Sequence, residues 1–383
     1  MKNLRITVLF LFLTISFSCK KEVKNVADKT PIESTIKYAK GFDIVNKNGV
    51  KKLIIKTAYQ NSDEVFEYII KKNTGTKDAS ENTIFTPIQR IVVTSTTHIP
   101  MLELLNEETA IVGFPYSKFV YSEKTRALID QGKITEIGKE TSLNTEILLD
   151  LQPQLVVGYS VSSADKSLTT IQKAGINVIY NGDWLEETPL GRAEWIKFFG
   201  VLFDKEKQAD SIFKVIENNY LEAKKIALKS DKKPTILSGA IMSKNIWNLP
   251  GGESFVATFF KDANFNYLWK ETKGKGSLSL SFESVFDKGQ NAELWLSPAH
   301  YTSKEQLIKS NPLYAEFNAF KNNTIFSPIT LKGKTGGIIY YELAPTRPDL
   351  VLKDLIKITN PDLLYNIQDS ELSIDKKQKS HNF

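Results

Sequence analysis

Between residues 191 and 230 the chain carries a long stretch with few helix breakers. Ala209, Ile212, Phe213, Ile216, Tyr220, Ala223 and Ala227 recur there at steps of three or four, which draws one apolar stripe along a helix. The spacing predicts a single helix over residues 204–229, about 38 Å long at 1.5 Å per residue. On both sides of it, short apolar strand signals alternate with helical stretches. Before it come Ile91-Val92-Val93, residues 110–114, residues 155–159 and residues 178–180. After it come residues 235–237, a helix over 254–268, Leu294-Trp295-Leu296, residues 324–327 and a last helix from Pro348. Such alternation is βαβ texture and predicts parallel sheets covered by helices. Two Rossmann-like α/β lobes joined by one long α-helix is the simplest fold that fits.

Strand-like runs at residues 42–45, 52–59 and 66–70, with an Asn48-Gly49 turn signal, predict a small N-terminal antiparallel β extension. Ser95, Thr96 and Thr97 are candidate caps for a helix bearing Met101, Leu104 and Leu105. The expected divisions are a signal segment 1–19, a tether 20–36, the β extension 37–83, an N-terminal lobe 84–190, a helical linker 191–230, a C-terminal lobe 231–370 and a polar tail 371–383.

The first residues set the compartment. Lys2 and Arg5 precede an apolar run over residues 6–17, broken only by Thr7, Thr14 and Ser16. That run suits a secretory leader and is too short to span a bilayer. Ser18 and Cys19 follow, and Cys19 is the only cysteine of 383 residues. A lone cysteine there resembles a bacterial lipobox, which implies cleavage before Cys19 and a lipid on its thiol. With no second thiol, no internal disulfide forms and the fold rests on its core. The composition, 41% hydrophobic and 25% charged, is that of a globular protein. The net charge of +6 is spread over scattered lysines without a basic, aromatic-lined groove, which argues against nucleic acid as a partner.

One pattern occurs twice. Asn144, Glu146 and Asp150 precede the strand at Leu155, and Ser281, Glu283 and Asp287 precede the strand at Leu294. In each, a capping residue is followed two places later by Glu and four further on by Asp. Both glutamates fall in a first helical turn and are expected at the surface, with Leu148, Leu149, Val285 and Phe286 facing inward. A carboxylate in a first turn is favoured by the helix dipole, by roughly 0.3–1 kcal/mol, whatever its function. The matched placement is what points to more.

These residues carry a family resemblance. Glu146 with Leu151-Gln152-Pro153-Gln154-Leu155-Val156-Val157, the run from Arg90 to Leu105, Ile111-Val112-Gly113, Ser281 to Phe286, and Pro345-Thr346-Arg347-Pro348-Asp349-Leu350 resemble the class III periplasmic binding proteins that serve iron–siderophore, haem and vitamin B12 ABC importers. The resemblance runs from about residue 84 to 364. It implies a monomeric, lipid-anchored periplasmic protein that delivers a small metal-chelate ligand to a permease dimer, with Glu146 and Glu283 as permease-docking residues.

The ligand is then expected between the lobes, on loops at strand ends. Candidates there are Tyr116, Tyr159, Trp184, Trp247, Tyr301 and Tyr340, each of which can equally pack a core. Arg192, Arg347, Lys332 and Lys334 can pair with an anionic ligand, since the Arg fork matches carboxylates and catecholates. The alternative for Arg347 is tying down its own loop. His300 with Tyr301 can touch a haem or ferric centre, whereas His98 reads more simply as a structural helix-start histidine. With so few histidines, a bare-metal site is not expected, and neither is a resident cofactor.

Enzyme signatures fail. Gly333-Lys334-Thr335 lacks the earlier P-loop glycine, because residue 328 is Pro. Gly158-Tyr159-Ser160-Val161-Ser162 lacks the last glycine of a nucleophile elbow. The readings left are capture of a ferric siderophore, capture of a corrinoid or haem by the same kind of protein, and a cell-surface interaction scaffold.

Overall fold

The computed structural model describes residues 34–47, 49–74, 82–139, 142–161 and 166–364. The signal segment with Cys19 and most of the tether lie outside them, as does the polar tail.

Strands β1 (Phe42–Lys47), β2 (Val50–Ile55), β3 (Phe66–Lys72) and β4 (Thr83–Thr86) form one sheet in that order. The first three pair antiparallel, as the sequence predicts. The fourth joins parallel to β3, so the sheet is mixed rather than a simple meander. Its apolar face does not stand apart. Phe42, Leu53, Ile55, Tyr68 and Ile70 are buried in one core with Ile91, Val92 and Val93 of the following lobe.

In the N-lobe, β5 (Ile91–Val93), β6 (Ile111–Phe114), β7 (Thr135–Glu136), a two-strand hairpin β8 (Gly138–Lys139) and β9 (Ser142–Leu143), β10 (Leu155–Gly158) and β11 (Val178–Tyr180) follow in chain order. The sheet order is β11-β10-β5-β6-β7, all parallel. The uninterrupted apolar composition of β5 and β10 matches their complete burial, as expected of parallel strands covered on both faces. In the C-lobe, β12 (Thr235–Ser238), β15 (Asn266–Tyr267), β17 (Leu294–Leu296) and β18 (Ile325–Phe326) form a second parallel sheet in the order β15-β12-β17-β18. Beside it β13 (Ala240–Ser243), β14 (Ile246–Pro250) and β16 (Ser277–Ser281) make a small antiparallel sheet that the sequence reading left out.

The linker is not one helix. Short helices Pro189–Glu194 and Ile196–Leu202 precede the long helix Glu206–Ala227, and the break falls at Asp204, whose φ is +55°. The long helix spans both lobes with a single stripe. Ala209, Phe213 and Ile216 are buried in the N-lobe core, while Tyr220, Ala223 and Ala227 are buried in the C-lobe core. Each large side chain buried this way contributes roughly 1.5–3 kcal/mol, so the helix is held at both ends.

The entry of the chain into the fold is unusual. Five consecutive backbone amides, from Lys37 to Gly41, donate to two buried carboxylates at the lobe junction. Glu194 accepts from Lys37, Tyr38 and Ala39 at 2.6–3.0 Å. Glu186 accepts from Lys40 and Gly41 at 2.8–3.0 Å and from the Trp195 indole at 3.0 Å. Lys197 also reaches Glu194, at 3.0 Å.

Candidate functional site

The C-terminal ends of the N-lobe strands converge on a polar floor. After β5, the Thr94 hydroxyl accepts the Tyr159 N–H at 2.9 Å, tying the β5 loop to the β10 loop. Thr97 does not cap its helix, as the sequence reading expected. Its hydroxyl donates instead to Asp183, after β11, at 2.7 Å, which takes the capping oxygen away from the helix amides. Asp183 is buried, and burial pushes its carboxyl above the usual range. Next to it Trp184 meets Tyr159 edge-on, with ring centroids 6.0 Å apart.

Arg192 stands at the junction of the lobes. Thr188 caps its helix by accepting the Gly191 N–H at 3.0 Å, and Pro189 occupies the first turn, which fixes the direction of the side chain. The guanidinium donates to the Trp184 and Glu186 carbonyls at 2.7 and 3.2 Å. Its centre lies 3.7 Å from the ring centroid of Phe255, which comes from the C-lobe, so one cation bridges both lobes. Tyr340 lies within electrostatic reach of Arg192. Burial raises the Tyr340 phenol to about 12 although Arg192 pulls it the other way, so the phenol is neutral at physiological pH.

A cavity of about 390 Å³ opens here, lined by Trp184, Arg192 and Phe255 together with Thr57, Gln60 and Asn61 of the β extension. A larger concavity, about 1000 Å³, runs along the long helix past Tyr220 and Lys224. Its buried carboxylate, Asp262, is already matched by Tyr220 at 2.7 Å and Lys224 at 2.7 Å. The smaller cavity, with convergent aromatic and cationic groups at strand ends, is the better candidate.

The remaining predicted residues are dispersed. Tyr116 is half-buried with φ +52°, beside Phe119 at 4.5 Å, and the Lys118 ammonium lies 4.4 Å from its ring centroid. His300 is exposed and stacks on Tyr301 at 4.2 Å, while Tyr301 itself is buried in the C-lobe core. Trp247 has to be reassigned. It is fully buried, stacks on Trp295 at 5.4 Å and donates to the Ser238 carbonyl at 2.8 Å, so it is core and faces no ligand. Arg347 is also reassigned, because Asp349 takes its fork at 2.9 and 3.0 Å. Lys332 is exposed, and Lys334 pairs with Asp130 of the N-lobe at 3.9 Å. Among the described residues no group of three His, Cys, Asp or Glu side chains is placed to hold a metal ion.

Glu146 and Glu283 are exposed in the first turns of helices Thr145–Leu151 and Phe282–Gly289. The caps are as predicted: Asn144 accepts the Ile147 N–H at 3.1 Å and Ser281 the Ser284 N–H at 3.2 Å. Leu148 and Val285 face inward, but Leu149 is 43% exposed, contrary to the sequence reading. Four residues escaped that reading: Asp183, Phe255, Gln60 and Asn61. A Gly-Asp-Trp run directly after a strand is a readable signal for Asp183; nothing local marks the other three.

A family description of periplasmic binding proteins matches residues 91–328. An uncharacterised lipoprotein of Methanocaldococcus jannaschii is 26% identical over 74% of this chain and 70% of its own length. The periplasmic haem-binding protein of Vibrio cholerae aligns with a TM-score of 0.54 at 17% identity, over 69% of this chain and 99% of that one. An ABC-type Fe3+-hydroxamate transport protein of Saccharomonospora viridis aligns at 0.55 and 15% identity, over 79% and 98%. At such identities the structural likeness carries the fold alone.

Proposed function

Because the chain belongs to the periplasmic binding protein family, whose members capture solutes and catalyse nothing, we propose that it binds a ferric siderophore between its lobes and passes it to an ABC importer. The observation that carries this reading is Arg192, held by two carbonyls and stacked on Phe255 at the lobe junction beside Trp184 and Tyr340. A fixed cation among aromatic rings suits an anionic chelate with flat, greasy arms. The solved structures that resemble the chain include proteins titled for haem and for Fe3+-hydroxamate, which fits a metal-chelate cargo. Glu146 and Glu283 are then the docking residues, one per lobe, meeting cationic pockets on a permease dimer. The binding protein acts as a monomer. Cys19 carries the lipid that holds it at the membrane, in keeping with the lipoprotein names of its relatives. No described helix is long and apolar enough to cross a bilayer.

A second reading, haem or a corrinoid, draws on the exposed His300, an imidazole suited to a porphyrin-held iron and seated on the buried Tyr301 ring.

Titration with a ferric trihydroxamate, a ferric tricatecholate, haemin and cyanocobalamin, followed by quenching of tryptophan fluorescence, separates these readings. A ferric chelate should saturate the protein, and Arg192→Lys, which keeps the charge but gives up the guanidinium's hold on the Trp184 and Glu186 carbonyls, should weaken it about tenfold. Binding of cyanocobalamin or haemin alone moves the cargo to the second reading. Binding of none of the four overturns the proposal.

A further inference from the structure

The β extension precedes the residues matched to the family, yet its loop at residues 57–61 borders the cavity at the lobe junction. The loop is fixed there by backbone. The Gln60 N–H donates to the Val161 carbonyl at 3.0 Å. Thr57 crosses Gly182 so closely that a Cβ on Gly182 would lie 2.0 Å from the Thr57 carbonyl oxygen, and only glycine admits that crossing. The two carboxylates Glu186 and Glu194 hold the strand leading into the sheet. The loop is therefore a rigid wall.

What the wall presents is polar and unspent. Gln60 and Asn61 are exposed and make no side-chain hydrogen bond among the described residues. Asn61 has φ +60°, a conformation asparagine accepts, which sets its amide at the end of the loop. Trp184 lines the same cavity, and its indole N–H has no partner among the described residues. Lys40 and Lys275 nearby are both engaged by Glu187, so the unused groups on this side are neutral amides and an indole donor.

We propose that the N-terminal extension forms a third wall of the ligand cleft, and that Gln60 and Asn61 select chelates whose arms carry amide or hydroxamate groups. Carboxamides both donate and accept, so they match such arms in either orientation. The face of an aromatic macrocycle offers them nothing, and it leaves them unpaired when it covers them. The inference rests on the cargo reading above, with the Arg192 cation facing the iron-bound oxygens of the chelate and the extension reading the periphery.

The test is the double variant Gln60→Ala/Asn61→Gly. Glycine keeps the positive φ at position 61, and both sites are exposed, so the thermal midpoint should not move. Against the same four probes, affinity for the ferric trihydroxamate should drop about tenfold or more while haemin binding stays the same or tightens. Hydrogen exchange gives a second measure on the unmutated chain: amides of residues 57–61 should gain protection when the trihydroxamate is added. If the variant binds every probe like the parent and the loop amides stay unprotected, the third wall is refuted while the cargo reading stands. If the parent binds no probe, both fall together.

Discussion

Glu342, on the C-lobe helix Ile339–Leu343, accepts the backbone N–H of Tyr121 in the N-lobe at 2.6 Å. The same carboxylate accepts the Ser122 N–H at 2.9 Å. Beside it the Thr335 hydroxyl donates to the Lys118 carbonyl at 2.8 Å, so a C-lobe segment is stitched along an N-lobe loop. Burial, aided by the nearby Glu103 carboxylate, raises Glu342 to about 7 despite the two amide bonds.

The sign of its effect follows from proton counts. From about pH 4.5 to 7 the folded state holds a proton on Glu342 that the unfolded state has lost, so stability falls as pH rises through that window. The loss reaches about 3 kcal/mol at pH 7 and above. Glu342→Gln should remove this contribution and leave those of the other groups, as measured by denaturant unfolding at several pH values.

His98 works the other way. It is fully buried against Phe199, neither ring nitrogen has a partner among the described residues, and burial lowers it to about 3. Between about pH 6.5 and 3 the unfolded state gains a proton that the folded state refuses. Acidification to pH 5 should therefore cost about 2 kcal/mol through His98 alone. In the parent protein the two slopes nearly cancel between pH 4.5 and 6.5. Glu342→Gln should lose stability on acidification in that window and His98→Phe should gain it. Parallel slopes for the two variants would refute both assignments.

The exposed first-turn glutamates make a separate prediction. Glu146→Lys with Glu283→Lys should cost only about 0.3–1 kcal/mol per site through the helix dipole and leave ligand affinity unchanged. Like charges facing each other across an interface cost several kcal/mol, so transport and stimulation of the importer's ATPase in liposomes should be abolished. Uptake that survives both reversals removes the docking role.

Cys19→Ser should release the protein into the soluble fraction or leave it uncleaved, as read by fractionation and intact mass. A membrane-bound variant with the parent's processed mass would show that the anchor lies elsewhere.

The two-lobed fold was legible because its signals are periodic. The stripe from Ala209 to Ala227 needs only 3.6-residue spacing, and the same stripe serves both cores. The predicted helix over 204–229 is the observed Glu206–Ala227 helix within two residues at each end, and the positive φ of Asp204 sets it off from the short helix before it. Trp247 was misread because an aromatic near a strand end looks the same whether it faces core or cleft. Its period-2 companion Leu249 in β14, also buried, held the missing clue. Arg347 was read as either a ligand residue or a tie for its own loop; its fork is held locally, by the Asp349 carboxylate rather than by backbone carbonyls. The cavity wall was invisible for a different reason: Gln60 meets Val161, and Gly41 meets Glu186, across stretches of chain that no local pattern connects.

The clasp of five amides by Glu186 and Glu194 makes the chain's entry into the fold a condition for burying two charges. Without residues 37–41, Glu186 would keep only the Trp195 indole and Glu194 only Lys197. Burying a carboxylate so poorly matched costs several kcal/mol, enough to unseat a domain of ordinary stability. The two acids at these positions therefore depend on the segment being in place. The acids and the segment they hold form one unit of stability, and loss of the grip of residues 37–41 should cost less stability when both glutamates are replaced as well.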